Sequence, residues 1–365
     1  MSKQEWKTYK LGELANLVNG FAFKGSDFIA DGVPVIKIKN VKPTGISLHE
    51  LSYVSREIAD KVPKYRIQQG DILISMSGNR MDGSPETWVG KVALFKEEGE
   101  YLLNQRVGIL RVKSSEVDKT FLSILLSSFD YQLHFITAAN SSGGQANISP
   151  SIIADTEVGL PTLVEQKRIA SIISSLDDKI ELNRQMNATL EAIAQVLFKE
   201  WFIDFNFPGA SGEIVESELG MIPVGWKVGS LLDIGKLIGG GTPKTSVDEY
   251  WNGDISWISA KDVSGNNHSF ITKTEKTITE AGLNNSSAKL LPKLATVITA
   301  RGTVGNYCIL SRPMTISQSN YALKPQNGYG DYFLYMAVQS SVVAMQRMSY
   351  GTIFDTITTE TLQKL

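Results

Sequence analysis

Residues 160–205 read LPTLVEQKRIASIISSLDDKIELNRQMNATLEAIAQVLFKEWFIDF. Ile169, Leu176, Asn183, Leu190 and Leu197 fall at seven-residue intervals, and Ile173, Ile180, Asn187, Ala194 and Trp201 form a second series four residues on. Five heptads of this kind predict one long helix whose seam packs along a partner helix. Pro161 stands where such a helix can begin, and Pro208-Gly209 follows its end. Roughly 40 residues at ~1.5 Å each give a rod of about 60 Å. Asn183 and Asn187 are too polar for a plain core; in the seam they weaken packing but fix register and partner orientation. The alternative is an ordinary amphipathic helix of a globular core. The seam's length, and what flanks it, favour a spacer.

What flanks it is a repeat. Trp6-Lys7 recurs as Trp226-Lys227, and Leu11, Leu14, Leu17 and Gly20 recur as Leu231, Ile234, Leu237 and Gly240, an offset of 220. Val35-Ile36 matches Trp257-Ile258 at 222, and Ile74 to Gly78 matches Ile298 to Gly302 at 224. Val89-Gly90 matches Val304-Gly305 at 215, and Leu103 to Gln105 matches Ile316 to Gln318 at 213. Collinear matches with a drifting offset are what loop-length changes do to a duplicated domain. The expected fold class is α+β: two similar mixed α/β domains, residues 1–160 and 226–365, joined by a coiled-coil-type helix over 161–205 and a linker over 206–225. Val33 to Val41, Asp71 to Ser77, Val89 to Phe95 and Gln105 to Val112 read as strands, and Asp118 to Ala139 as a helix whose counterpart is Asp331 to Met348. Gly143-Gly144 and residues 239–243 read as loops.

Composition bounds the function. The 365 residues are 42% hydrophobic and 20% charged, enough to bury a core. One cysteine, Cys308, and three histidines, His49, His134 and His268, exclude a disulfide framework and a Cys/His zinc cluster. With no apolar run of membrane length and a polar start, a soluble cytoplasmic protein is expected. Net charge is −2, and neither copy is basic: residues 1–160 carry 18 cations and 18 anions, and residues 206–365 carry 13 of each. A nucleic-acid reader of this balance needs partners to hold the backbone.

No catalytic apparatus is legible. The stretch GGGTPK at residues 239–244 lacks the GxxxxGK[ST] pattern, and no GxGxxG, GxSxG, HExxH or paired-cysteine motif occurs. Single acids such as Asp71 and Asp254 read as turn or cap residues. What remains is recognition. Ser77, Asn79 and Arg80 in the first copy, and Arg301 and Thr303 in the second, follow one strand; Gln105 and Arg106, and Gln318, Ser319 and Asn320, open another. Lys37, Lys39 and Asn40, Lys261 and Lys244 complete the set. Arg forks onto guanine and Asn or Gln onto adenine in the major groove, whereas lysine mostly holds phosphate. Solvated strand ends are the plain alternative for any one of them.

The run at 160–205 resembles the central helical region of type I restriction-modification specificity subunits. WKTYKLGEL at residues 6–14 and GMIPVGWKVGSL at residues 220–231 are similar to that family's two domain starts. The resemblance implies a host-defence protein in which each copy is a target-recognition domain reading one half of a bipartite site in double-stranded DNA. The helix sets the gap and docks modification (methyltransferase) subunits, two of them, with restriction subunits added for cleavage. S-adenosylmethionine, ATP and magnesium would belong to those partners, with no metal, cofactor or catalytic residue in this chain. The family adds a second helical region that packs antiparallel on the first. At the offset that carries Ile148 to Ile357, the counterpart of Pro161 falls beyond Leu365, so that helix is expected to be missing here. A truncation, natural or artificial, or a chain that borrows a helix by dimerising, would follow. Two other readings stay open: a stand-alone nuclease with divergent motifs, and a protein-binding adaptor.

Overall fold

The computed structural model describes residues 6–43, 45–142, 145–349 and 356–365. The chain divides into two compact units, residues 1–185 and 186–365, the division falling inside one long helix, Leu163–Phe202.

In the first unit an antiparallel sheet runs in the order Val92–Leu94, Ile72–Ser75, Val107–Val112, Ala15–Asn19. Ile72, Leu73 and Ile74 are all wholly buried because both faces of this sheet are covered, so the strand reads as a continuous apolar run. Ile72, Ile74 and Leu110 pack with Phe121, Leu122 and Phe135 of two helices; Leu73, Ala93 and Ile109 pack the other way, with Ile36 and Phe95. Each such side chain contributes roughly 2 kcal/mol by leaving water. A second sheet includes Val33–Ile36, parallel to Tyr101–Leu103 and antiparallel to Ser52–Val54.

The second unit repeats this plan. Its main sheet runs Tyr307–Leu310, Thr296–Thr299, Asn320–Pro325, Gly235–Gly239, with Phe270–Ile271 added at the first edge. Registers agree pair by pair. Ala15 opposite Val112 becomes Gly235 opposite Pro325, and Ser75 opposite Val107 becomes Thr299 opposite Asn320. Ile72 opposite Leu94 becomes Thr296 opposite Ile309, and the parallel pair Val35 and Leu102 becomes Trp257 and Thr315. Every pair lies at the offset of its sequence match. The same backbone crossing recurs as well. A Cβ on Gly20 would lie 2.0 Å from the Asn104 carbonyl oxygen, and one on Gly240 2.1 Å from that of Ser317, so only glycine fits either place.

Several expected elements differ in extent. The run Val33 to Val41 is a strand only to Ile36; a short 3₁₀ turn, Ile38–Asn40, follows because the Asn40 side chain accepts the Lys37 N–H at 3.0 Å. Asp118 to Ala139 is two helices, Lys119–Leu126 and Phe129–Ala138, parted at Ser127-Ser128, where Ser128 takes an extended conformation. Its counterpart Asp331–Ser349 is continuous. Gly143 and Gly144 lie outside the described residues.

The central helix begins with a capping box: the Thr162 hydroxyl accepts the Glu165 N–H, and the Glu165 carboxylate accepts the Thr162 N–H. Gln166 is fully buried and pins this end, donating to the Glu116 and Pro161 carbonyls and accepting the Asp118 N–H. In the first unit Ala170 and Ile169 join the core. In the second, Phe198 joins the core, and Phe202 contacts Phe333 and Trp226 at ring separations of 4.9 and 6.0 Å. Among the seam residues Ile169 and Ile173 are half-buried. Leu176, Ile180, Asn183, Asn187, Leu190, Ala194, Leu197 and Trp201 are exposed, and Ile172, Met186 and Ile193 widen the apolar stripe beyond the two expected series. Among the described residues no helix is long and apolar enough to cross a membrane.

Candidate nucleic-acid interface

Antiparallel pairing brings the candidate residues of each unit to one end of its sheet. In the first, strand Ile72–Ser75 ends where Val107–Val112 begins, and the Met76 N–H donates to the Arg106 carbonyl at 2.9 Å. Gly20 leaves the neighbouring strand beside Asn104, and the Asn104 N–H donates to Ile36, so the Lys37 to Asn40 turn arrives at the same end. The second unit repeats the arrangement: the Ala300 and Arg301 N–H groups both donate to the Ser319 carbonyl, and the Ser317 N–H donates to Ile258.

Side chains at these ends divide by what they touch. Ser77 is buried and donates from Oγ to Asn147 Oδ1 at 2.6 Å; Arg106 is exposed and its Nη1 donates to the same Asn147 oxygen at 3.2 Å and to Ser77 Oγ at 3.4 Å. Asn147 belongs to the strand Gln145–Asn147, paired with Ser77–Gly78, and was not among the residues expected from sequence. Seventy positions separate it from Ser77. Its one sequence signal is that it precedes Ile148, where the repeat offset becomes 209. Asn79 donates to Thr87 Oγ1 at 3.1 Å, and Arg80 braces the Ala139 carbonyl at 2.8 Å. Gln105 is exposed.

Three of the four candidate lysines are engaged. Lys39 pairs with Glu50 at 3.1 Å and Lys261 with Glu275 at 3.0 Å, which raises the Lys261 pKa. The Lys37 ammonium sits 3.6 Å from the Phe28 ring centroid, and burial, with Lys39 nearby, lowers its pKa. Lys91 lies behind them, buried, and donates to the Ile38 and Glu86 carbonyls; burial above all, then Lys42, brings its pKa down to about 8. It ties two of the strand-end loops together.

Two further candidates, besides Ser77, face inward. Asn40 is 1% exposed, and its amide donates to the Ser47 and His49 carbonyls while its oxygen takes the Lys37 N–H. Asn320 is wholly buried and donates to the Ile258 carbonyl at 3.0 Å and to Ser317 Oγ at 3.3 Å. Both serve the fold in this conformation. Arg301, Thr303, Gln318 and Lys244 are exposed and Ser319 is half-buried. The acids read as cap residues behave so in part: Asp71 accepts the Gln68 N–H, and it also holds Arg111 through two hydrogen bonds of 2.9 and 2.6 Å. Among the described residues no group of three or more His, Cys, Asp and Glu side chains could hold a metal ion.

Comparison with known proteins follows the same two blocks. The family described as "Type I restriction modification DNA specificity domain" matches residues 3–192 and 223–365. The chain is 27% identical to the HindI type I restriction enzyme specificity subunit of Haemophilus influenzae, over 99% of this chain and 89% of that protein. It is 24% identical to the putative MjaX specificity subunit of Methanocaldococcus jannaschii, over 99% and 82% respectively. The crystal structure of a type I restriction-modification S subunit from M. genitalium superposes with a TM-score of 0.59 at 15% identity, covering all of this chain and 84% of that one, which shows a shared fold.

Proposed function

The chain belongs to the family of type I restriction-modification specificity subunits, and from that premise we propose that it reads a bipartite site in double-stranded DNA, one half per unit. The observation that carries this reading is a single frame used twice, register by register, with different side chains at the same sheet end. The strand-end set from Lys37 to Arg106 in the first unit, and from Lys244 to Asn320 in the second, forms or supports the two reading faces. The central helix sets the distance between the half-sites and offers its seam to helices of partner subunits. Leu176, Ile180 and Leu190, 61%, 50% and 59% exposed, are costly in water and supply the apolar surface for that pairing. A second copy of the chain is the alternative occupant. Two modification subunits dock there in the full assembly, restriction subunits join for cleavage, and S-adenosylmethionine, ATP and magnesium are held by those subunits. The site of action is the cytoplasm.

The test is reconstitution. Co-purified with its cognate modification subunit, the chain should form a complex holding two modification subunits and retain duplexes carrying two fixed sequence blocks separated by a gap of fixed length. Magnesium-dependent cleavage of DNA by the chain alone would instead establish the nuclease alternative. A stable complex without sequence preference would favour the adaptor.

A further inference from the structure

At the strand-pair mouth itself each reading face carries one arginine, on opposite strands in the two units; Arg80, further along the first unit's loop, is engaged with the Ala139 carbonyl. Position 77 of the first unit corresponds to position 301 of the second, and position 106 to position 319, by the same registers that align the sheets. The first unit has Ser77 and Arg106; the second has Arg301 and Ser319. Arginine and serine have traded places across the same pair of backbones. Two arginines there would repel across a spacing of about 5 Å, and each unit sets one arginine and one serine across the pair.

Resting on the DNA-reading role above, we propose that Arg106 and Arg301 are the specificity-determining residues that each read a guanine, one in each half-site. Arginine presents a planar fork that matches guanine O6 and N7, and it is the commonest specific reader in the major groove. Arg106 is held ready for this: one nitrogen, Nη1, is tied to Asn147 and Ser77, which orients the planar group, and the residue remains exposed. Asn147 is thus a positioning residue. Arg301 emerges from the equivalent place on the neighbouring strand, its backbone bridged to Thr356 as that of Ser77 is to Asn147. The other exposed polar groups fit the role less well. Lys39 and Lys261 are paired with carboxylates, and Gln105 and Gln318 occupy the same position in both units, so they cannot by themselves make the halves differ.

The complex of the full chain with its modification subunit is measured on a randomised duplex library, wild type against Arg106→Ser and Arg301→Ser. Arg106→Ser should lose roughly 10-fold or more of the preference for guanine at one position of one half-site, leaving the other half-site unchanged; Arg301→Ser should do the converse. Unchanged base preferences in both variants would overturn the proposal. So would uniform weakening at all positions with a shallower salt dependence, which marks a phosphate contact. Both side chains are exposed and both changes are truncations, and a thermal melt within a few degrees of wild type separates reading from folding. A wild-type complex with no sequence preference at all would defeat the DNA-reading role itself, a different result from either.

Discussion

The first and second units share the strand registers of a four-stranded main sheet, yet they fit it out differently. Asp71 and Arg111 form a two-bonded ion pair between adjacent strands in the first unit, where the second has Ala295 and Lys324. Lys91, buried and bonded to two carbonyls, corresponds to Asn306, whose amide donates to the Thr303 carbonyl instead. The loop from Ser75 to Lys91 is long enough to hold a 3₁₀ turn, Pro85–Thr87; its counterpart from Thr299 to Asn306 is a tight turn. Most of what stays the same is apolar or glycine and sits where packing leaves no choice, with Gln105/Gln318 and Lys39/Lys261 as polar exceptions. What differs is polar and gathers at the strand ends. Duplication has kept the frame and varied the face.

Three sets of changes break or sharpen that comparison. The largest effect is expected at the shared crossing. Gly20→Ala and Gly240→Ala each place a methyl about 2 Å from a carbonyl oxygen, and each should cost at least ~3 kcal/mol in chemical denaturation. If one is tolerated, the two crossings are not equivalent. Next, Asp71→Ala should destabilise by about 2 kcal/mol, because it takes the counter-charge from Arg111, itself a third exposed and left with the Arg66 carbonyl, and the acceptor from the Gln68 N–H. Alanine at the equivalent position 295 shows that the frame closes without such a pair, so folding should survive. Smallest are the turn caps. Asn40 accepts the Lys37 N–H, and its equivalent Asp262 accepts the Ser259 N–H at 2.8 Å. Asn40→Ala and Asp262→Ala should each cost about 1–2 kcal/mol by urea titration. Matching losses would confirm one device used twice.

Much of this was legible in the residues, for a physical reason. Side chains that must pack or pass close to backbone keep their type, so Gly20 and Gly240, or Ile74 and Ile298, stand out as matches and carry the strand registers with them. The heptad series likewise announces the long helix. Polar strand-end residues are less legible, because one chemistry serves two ends. Asn40 and Asn320 look like base readers in sequence and are inward-facing braces in the fold, while Asn147, which orients Arg106, is far away along the chain. The break at Ser127-Ser128 escaped for a related reason: apolar spacing continues across it although the backbone does not. Gln166, in the first turn of a solvated helix, gives no hint that it is buried.

The most direct test of the central claim, one frame and two independent reading faces, exchanges one face only. The strand-end residues of the first unit, with residues 76–90 and 139–148, are replaced by those of another family member of different specificity, and the target of the reconstituted modification complex is mapped on genomic DNA. One half-site should change to that of the donor, with the other half-site and the gap between them retained. An unchanged target, or a change in both halves together, would contradict it.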